Sequence, residues 1–409
     1  MSRIQPFTAW RYSRQAGPLE NLVTQPYDKI SPAMQARYLS LSPYNLVRII
    51  LGERRPTDTD QNNAYTRAHD SFEQWMVTGI LERDPEPSLY AYIQEFTPPD
   101  SDEKLLRKGF IGLGPVEDYD ARIVHRHEQT LTGPKKDRLE LLRHTHGHFG
   151  QIFMLYPDPG LAVDAILDEA ARAEPAAVVE DEYHTVHRLW RISDTSVIAR
   201  IQELMADKKL LIADGHHRYE TAQAFRKENP ELAGARQVMM TFVNMHSPGL
   251  KILATHRVVG NLPAFNAETL LQRTGARKLG SLSALKALFR TPAPGRIRIG
   301  IALRDAVHVI DRPREAGELD VPVLHREILG DVLGINEEAV RNESNIEYVR
   351  GIDAAIEKVG NGRAQVAFLL EPTEVAQVAD VAFAGGVMPQ KTTDFYPKLL
   401  SGLTIYKVS

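Results

Sequence analysis

The sequence predicts an α/β fold with a mixed sheet and a second α/β region toward the C-terminus, on three observations. Short apolar runs alternate with helical windows along the chain, which argues for a mixed or partly parallel sheet packed by helices. The run Leu210 to Ala213 ends at Gly215 and opens directly into a helix-forming stretch with no breaker until Pro230. At 409 residues the chain exceeds the size at which one core usually keeps growing, so two domains are the default and one elaborated unit the alternative.

The predicted strands are, in order, Tyr44 to Leu51, Leu89 to Phe96, Gly109 to Leu113, Gln151 to Tyr156, Leu210 to Ala213, Gln237 to Val243, Ile252 to Val259, Ile297 to Leu303 and Gln365 to Leu370. Helical windows fall at Asn62 to Leu81, Pro134 to His144, Leu161 to Arg172, Ser196 to Ala206 and Ala267 to Arg273. Gln25-Pro26-Tyr27-Asp28 is a turn signal before a helix that Asp28 or Ser31 would cap. The best break is Gly260 to Pro263, dividing residues 1–259, which carry the Gly215 turn, from 260–409; Pro292 to Gly295 is a second loop.

Composition narrows the function classes. A 43% hydrophobic and 25% charged chain is an ordinary globular protein. Its net charge of −4, from 49 basic and 53 acidic residues, suggests neither nucleic acid nor a membrane surface as partner. With no cysteine, disulfides, thiolate metal sites and cysteine nucleophiles drop out. The opening MSRIQPFTAWRYS lacks the apolar stretch of a signal peptide, and no window approaches a membrane span, so a soluble, cytoplasmic protein is expected. No P-loop, dinucleotide fingerprint, H-E-x-x-H or G-x-S-x-G motif occurs.

Chemistry concentrates in residues 213–222, ADGHHRYETA. A glycine at a strand-to-helix turn lets backbone N–H groups approach a ligand, and the helix N-terminus favours an anion, which Asp214 and Arg218 would flank. His216 and His217 point about 100° apart on a helix, so they do not serve one site in the simplest geometry. Further upstream, IVHRHEQTLTGPKKDRLELLRHTHGHFG places His125 and His127 on one strand face and Glu128 on the other or at the strand end. It then enters a helix with Pro134 in the first turn and Lys135 and Arg138 on one side, either a solvated basic face or an anion site. His144, His146 and His148 have the period of strand-borne zinc ligands but fall at a helix end, which favours exposed histidines. Glu180, Asp181, Glu182 and His184 read as a solvated loop, with metal or substrate contact as the alternative. Met388 to Lys398, containing Lys391 and Asp394, has the composition of a phosphate- or carboxylate-binding loop and equally of a capped turn.

Taken together, Gln25 to Asp28 (QPYD), Asn45 to Arg48 (NLVR), Glu128 to Leu139 (EQTLTGPKKDRL), Asp214 to Ala222 (DGHHRYETA), Thr255 to Val258 (THRV) and Pro389 to Gly402 (PQKTTDFYPKLLSG) resemble the domain-of-unknown-function family 1015 over nearly the whole chain. That resemblance implies soluble bacterial and archaeal proteins and hardly an activity. Locally, DGHHRYETA is similar to the Gly-x-x-Arg phosphate box of the ParB and sulfiredoxin-like fold, and to the Asp-Gly-His-x-Arg turn of free-serine kinases within it. This second resemblance implies a ParB/sulfiredoxin-like element around the turn and a small-molecule phosphotransferase, a kinase for serine or a similar hydroxylated amino acid with ATP or ADP and Mg²⁺. Asp214, Glu128 and His216 are the catalytic candidates, Asp214 and Glu128 as base or metal ligand. Gly215, His217 and Arg218, with Lys135, Arg138, Lys391 and Asp394, are the phosphate or substrate candidates. The rivals are a metal-dependent phosphoesterase using Asp214, His216, His217 and His125, and a non-catalytic nucleotide or phosphometabolite sensor.

Overall fold

The computed structural model describes residues 3–99, 101–128, 132–315, 317–389 and 391–409. Gln129, Thr130 and Leu131 of the EQTLTGPKKDRL segment and Gln390 of the C-terminal loop lie outside these, and nothing is assigned to the side chain of Pro134. The chain forms two compact units. The first comprises Met1–Lys251, Val381–Gly386 and Phe395–Ser409, and the second Ile252–Asp380 and Val387–Asp394.

The first unit is built on an eight-stranded mixed sheet whose strands, in chain order, are β1 Leu89–Phe96, β2 Leu105–Pro115, β3 Val124–His125, β4 Ile152–Tyr156, β5 Ala177–Glu180, β6 Val186–Ile192, β7 Leu210–Asp214 and β8 Gln237–Asn244. Across the sheet they run β3-β7-β4-β8-β2-β1-β6-β5. The pairs β3 with β7 and β4 with β8 are parallel, and the remaining pairs antiparallel. Ile152, Met154, Leu210 and Ile212, which alternate along β4 and β7, share one core with Val163 and Leu167 of the helix Ala162–Ala170 and with Ile198, Ile201 and Met205 of the helix Thr195–Met205. That period-two burial on the sheet and helical burial against it is the pattern the sequence carries. The helix Ala64–Val77, closed at its start by a capping box from Asn63 and Thr66, buries Ala68, Phe72 and Trp75 in a second core.

One predicted strand is a helix instead. Tyr44 to Leu51 contains the short helix Val47–Ile50. The buried Asn45 fixes it, since its side chain accepts from the Val47 N–H and donates to the Asn21 carbonyl. An apolar run this short has no periodicity to separate the two outcomes. Ser31, one of the two expected caps, accepts from the Met34 N–H at the start of the helix Pro32–Leu41.

In the second unit, six antiparallel strands run in the order Arg277–Leu279, Ala306–Pro313, Arg296–Leu303, Val366–Leu370, Thr255–Val259 and Ile346–Arg350. Alternating residues of the central strand, Ile297, Ile299 and Ile301, pack with Leu324, Ile328 and Leu329 in one core. Ala302, Val309, Ala367 and Leu369 pack with Leu285 and Ala355 in another. Gly260 to Pro263 follows the strand Thr255–Val259 within this unit.

Candidate functional site

The strand β7 enters the site through a bulge. Its pairing with β4 shifts register between Ile212 and Asp214, so that Ala213 is the extra residue and the Asp214 side chain is re-aimed at the strand end. Gly215 follows with φ 98° and ψ 26°, a left-handed conformation glycine adopts without a Cβ penalty, and caps the helix His216–Glu228. A Cβ at Gly215 would come within 3.0–3.1 Å of the Arg218 guanidinium, so the glycine also makes room for that side chain.

Asp214 sits between two cations. Its Oδ2 accepts from Arg218 Nη2 at 2.7 Å, and its Oδ1 accepts from Lys398 Nζ at 3.2 Å. Burial by itself would raise the carboxyl's pKa, but Lys398, Arg218 and Lys29 more than offset it and hold the group well below the usual carboxylate range. Arg218 also donates to the Gln151 carbonyl. The cluster is therefore rich in positive charge, with a carboxylate committed to holding the cations rather than free to bind a metal.

Behind this pair lie two buried imidazoles. The His127 and His216 rings meet edge to face, 4.8 Å between centroids. His127 Nδ1 lies 2.8 Å from the Ile212 carbonyl, which can only accept, so Nδ1 carries the proton and Nε2 is bare in the neutral ring. Burial lowers the pKa of His127 to about 4 and that of His216 well below its ordinary value. Among the described residues His216 Nε2 is buried without a hydrogen-bond partner. His125 turns elsewhere, toward the Arg122 and Ala382 carbonyls, so it does not join His216 as the metal-site alternative required.

The remaining expected residues divide. Lys135 ion-pairs with Glu220 on the helix that begins at His216, and the half-buried His217 has its pKa lowered by burial, with Glu220 and Lys135 among the charges near it. Arg138 stacks on the Tyr27 ring at 4.1 Å. Its donors go to Asp137 and to the Ile50 carbonyl. Glu128 is partly buried, one residue past His127. Lys391 and Asp394 belong to the second unit, where Asp394 takes a two-point ion pair from Arg350 and the Lys391 carbonyl accepts from Arg257. Asp394 is thus a structural anchor within that unit. A cavity of about 70 Å³ in the first unit is lined by Tyr27, Arg138, Gly150, Arg218, Thr221 and Ser401. A larger one of about 380 Å³ shares Tyr27, Ile50, Arg138 and Leu141 with it.

The histidine-rich run separates in space. His144 bonds the Glu140 carbonyl and stacks on Tyr65, His146 packs on Phe225, and His148 stacks on Tyr406. Among the described residues no group of three His, Asp or Glu side chains is placed to hold a metal. The 180–184 segment is no solvated loop throughout. Although Glu180 and His184 are exposed, the Asp181 side chain is buried, and Tyr38 donates to Glu182. Sequence reasoning did not single out Lys398, which stands inside the PQKTTDFYPKLLSG motif but far along the chain from Asp214.

Among the described residues, no helix is long and apolar enough to cross a membrane. No protein with a curated description matches the sequence. Among solved structures, a free serine kinase in complex with ADP is similar at 13% identity and TM-score 0.39, over 70% of this chain and 89% of that one. A conserved hypothetical protein from Pyrococcus furiosus is similar at 14% identity and TM-score 0.36, over 70% and 92%. SbnI with a C-terminal truncation, from Staphylococcus aureus, matches at 14% and 0.36, over 72% and 87%. The model of the family described as protein of unknown function DUF1015 matches residues 4–323, and the chain belongs to that family.

Proposed function

We propose that the protein is a small-molecule phosphotransferase, a kinase for serine or a similar hydroxylated amino acid, with ATP or ADP as donor. The observation that carries this reading is the Asp214 turn, where Arg218 and Lys398 converge on one carboxylate at the N-terminus of a helix. Phosphoryl transfer asks a protein for positioning and for cations around the equatorial oxygens, and this cluster supplies both. The likeness of Asp214-Gly215-His216-x-Arg218 to the free-serine kinase turn supports serine or a similar hydroxylated amino acid as the acceptor class.

In this mechanism Arg218, Lys398 and the Gly215 turn bind phosphate, and Asp214 holds the two cations in place. The acceptor's hydroxyl proton passes to Glu128 or to the neutral His216, whose proton affinity rises when an anion lies beside it. Asp214 does not fit as a resident Mg²⁺ ligand, because both its oxygens accept from cations. A divalent ion would have to arrive on the nucleotide's own phosphates.

The test is a thermal-shift screen with ATP, ADP, CTP, serine and phosphoserine, with and without Mg²⁺ or Mn²⁺, repeated on Arg218→Ala. Stabilisation by a nucleotide or phosphoserine that vanishes in the variant supports the reading, and phosphoserine detected by ³¹P NMR separates a kinase from a sensor. No shift with any phosphate compound overturns it.

A further inference from the structure

Arg107, the third residue of β2, is 1% exposed and makes no ion pair among the described residues, an unusual position for a cation. Among the described residues its Nη1 is buried without a hydrogen-bond partner. The other two nitrogens are fixed, since Nε donates to Gln94 Oε1 at 2.9 Å and Nη2 donates to both Gln94 Oε1 and the Pro397 carbonyl. The guanidinium also lies over the Phe153 ring, 4.6 Å from its centroid. Burial lowers its pKa to about 9, with Tyr92 and Asp214 opposing, so it stays charged near neutral pH and senses the Asp214 carboxylate.

The Gln94 amide is itself held in one orientation by a buried chain. Asp181 Oδ2 lies 3.2 Å from His187 Nε2, and a carboxylate accepts, so Nε2 carries the proton and Nδ1 is bare. The bare Nδ1 accepts from the Tyr92 hydroxyl at 2.6 Å and from Gln94 Nε2 at 3.3 Å. Gln94 Nε2 also donates to the Lys398 carbonyl at 2.9 Å. A reversed amide would set its oxygen against that carbonyl and the Nδ1 lone pair, and its N–H₂ against the guanidinium. Only the observed orientation offers Arg107 an acceptor, and the same amide tethers the backbone of Lys398.

We propose that Arg107 is the buried cation of the Asp214 anion site, an unneutralised guanidinium whose field adds to that of Arg218 and Lys398 in drawing a phosphorylated ligand, with Gln94, His187 and Asp181 as its positioning residues. The inference rests on the phosphate-binding reading of the turn. It explains why a strand interior holds an arginine on an amide: a glutamine fixes the guanidinium without cancelling its charge, as a glutamate would.

The probe is inorganic pyrophosphate, titrated calorimetrically into the full chain. Gln94→Glu keeps the hydrogen bonds to Arg107 but neutralises it and loses the amide donor to the Lys398 carbonyl, and it should weaken pyrophosphate by at least about tenfold, the effect of losing one unit charge at intermediate dielectric; Arg107→Met, which leaves the Gln94 tether to Lys398 in place, should show a comparable loss against Arg107→Lys. His187→Leu should also weaken binding, whereas His187→Asn, whose side-chain oxygen replaces the Nδ1 acceptor, should keep it. If Arg218→Ala abolishes binding while Gln94→Glu leaves it unchanged, the anion site stands and the role of Arg107 is overturned. If Arg218→Ala has no effect, or the unaltered protein does not bind pyrophosphate, the phosphate reading falls and this inference with it. Should Gln94→Glu not fold, Arg107→Lys against Arg107→Met asks the same question, and equal affinities would overturn the proposal.

Discussion

At Asp214 the electrostatics favour a role in organisation over proton abstraction. A carboxylate held well below its ordinary pKa by Lys398 and Arg218 is a weak base, yet removing its charge leaves two close cations repelling each other. Asp214→Asn is therefore expected to lower turnover by roughly 10²-fold or more through displaced phosphate contacts, and steady-state kinetics on a variant with an unchanged circular dichroism spectrum would check it. Buried His127 gives a pH prediction whose sign follows from its depressed pKa. The unfolded ring takes up its proton near 6.5 and the folded ring only near 4, so the stability it contributes is complete above 6.5 and lost as pH falls toward 4. Replacing His127 by Phe should flatten that acid loss in urea titrations across this range. The identities of Asp214, Gly215 and Arg218 were legible because a short motif placed them together. Their charge environment was not, since Lys398 stands 184 positions away from Asp214.

At the scale of the element, the site depends on a strand that gains a residue and a helix that starts from a left-handed glycine. Gly215→Ala is expected to cost about 1–2 kcal/mol from the backbone conformation alone, and more if Arg218 must shift. Chemical denaturation would measure it, and a cost near zero would show that the turn relaxes. By contrast, Asn63→Ala removes an exposed-side cap and should cost about 1 kcal/mol without touching ligand binding. Strands whose apolar runs were long or flanked by turn residues, such as Gln237–Asn244 and Val366–Leu370, could be read from sequence. Ala177–Glu180 could not, because an edge strand with a single buried residue carries too little pattern. The bulge at Ala213 left no sequence trace, as it arises from pairing with a distant strand.

For the molecule as a whole, the second unit should carry a pH response that the buried histidines do not. In the second, burial raises Glu371 from 4.5 to about 7, with Arg298 opposing. A carboxyl raised in the folded state stabilises most fully below 4.5, and that contribution is lost as pH rises through 7. Buried histidines act in the other direction in both units, His127 and His216 in the first and His256 and His325 in the second. Calorimetry should accordingly show that Glu371→Gln removes a fall of the second unit's transition between pH 4.5 and about 7; a variant with the same pH profile as the unaltered protein would refute the assignment. The breadth of the α/β organisation was visible from the alternation of runs. The path of the chain, which leaves the first unit and returns to it twice, was not, because nothing local marks a return.

That path has a consequence for how the protein is made. The segment Phe395–Ser409 carries Lys398 and pairs Ser401 with Thr24 and Ile405 with Trp10, near the start of the chain. While the ribosome is still translating the preceding residues, every other part of the turn has emerged, but the second cation has not been made. On the proposed phosphate-binding reading a nascent chain therefore cannot capture its ligand early, and a chain cut short before residue 398 would lack the second cation and leave the backbone of Thr24 and Trp10 without these bridges.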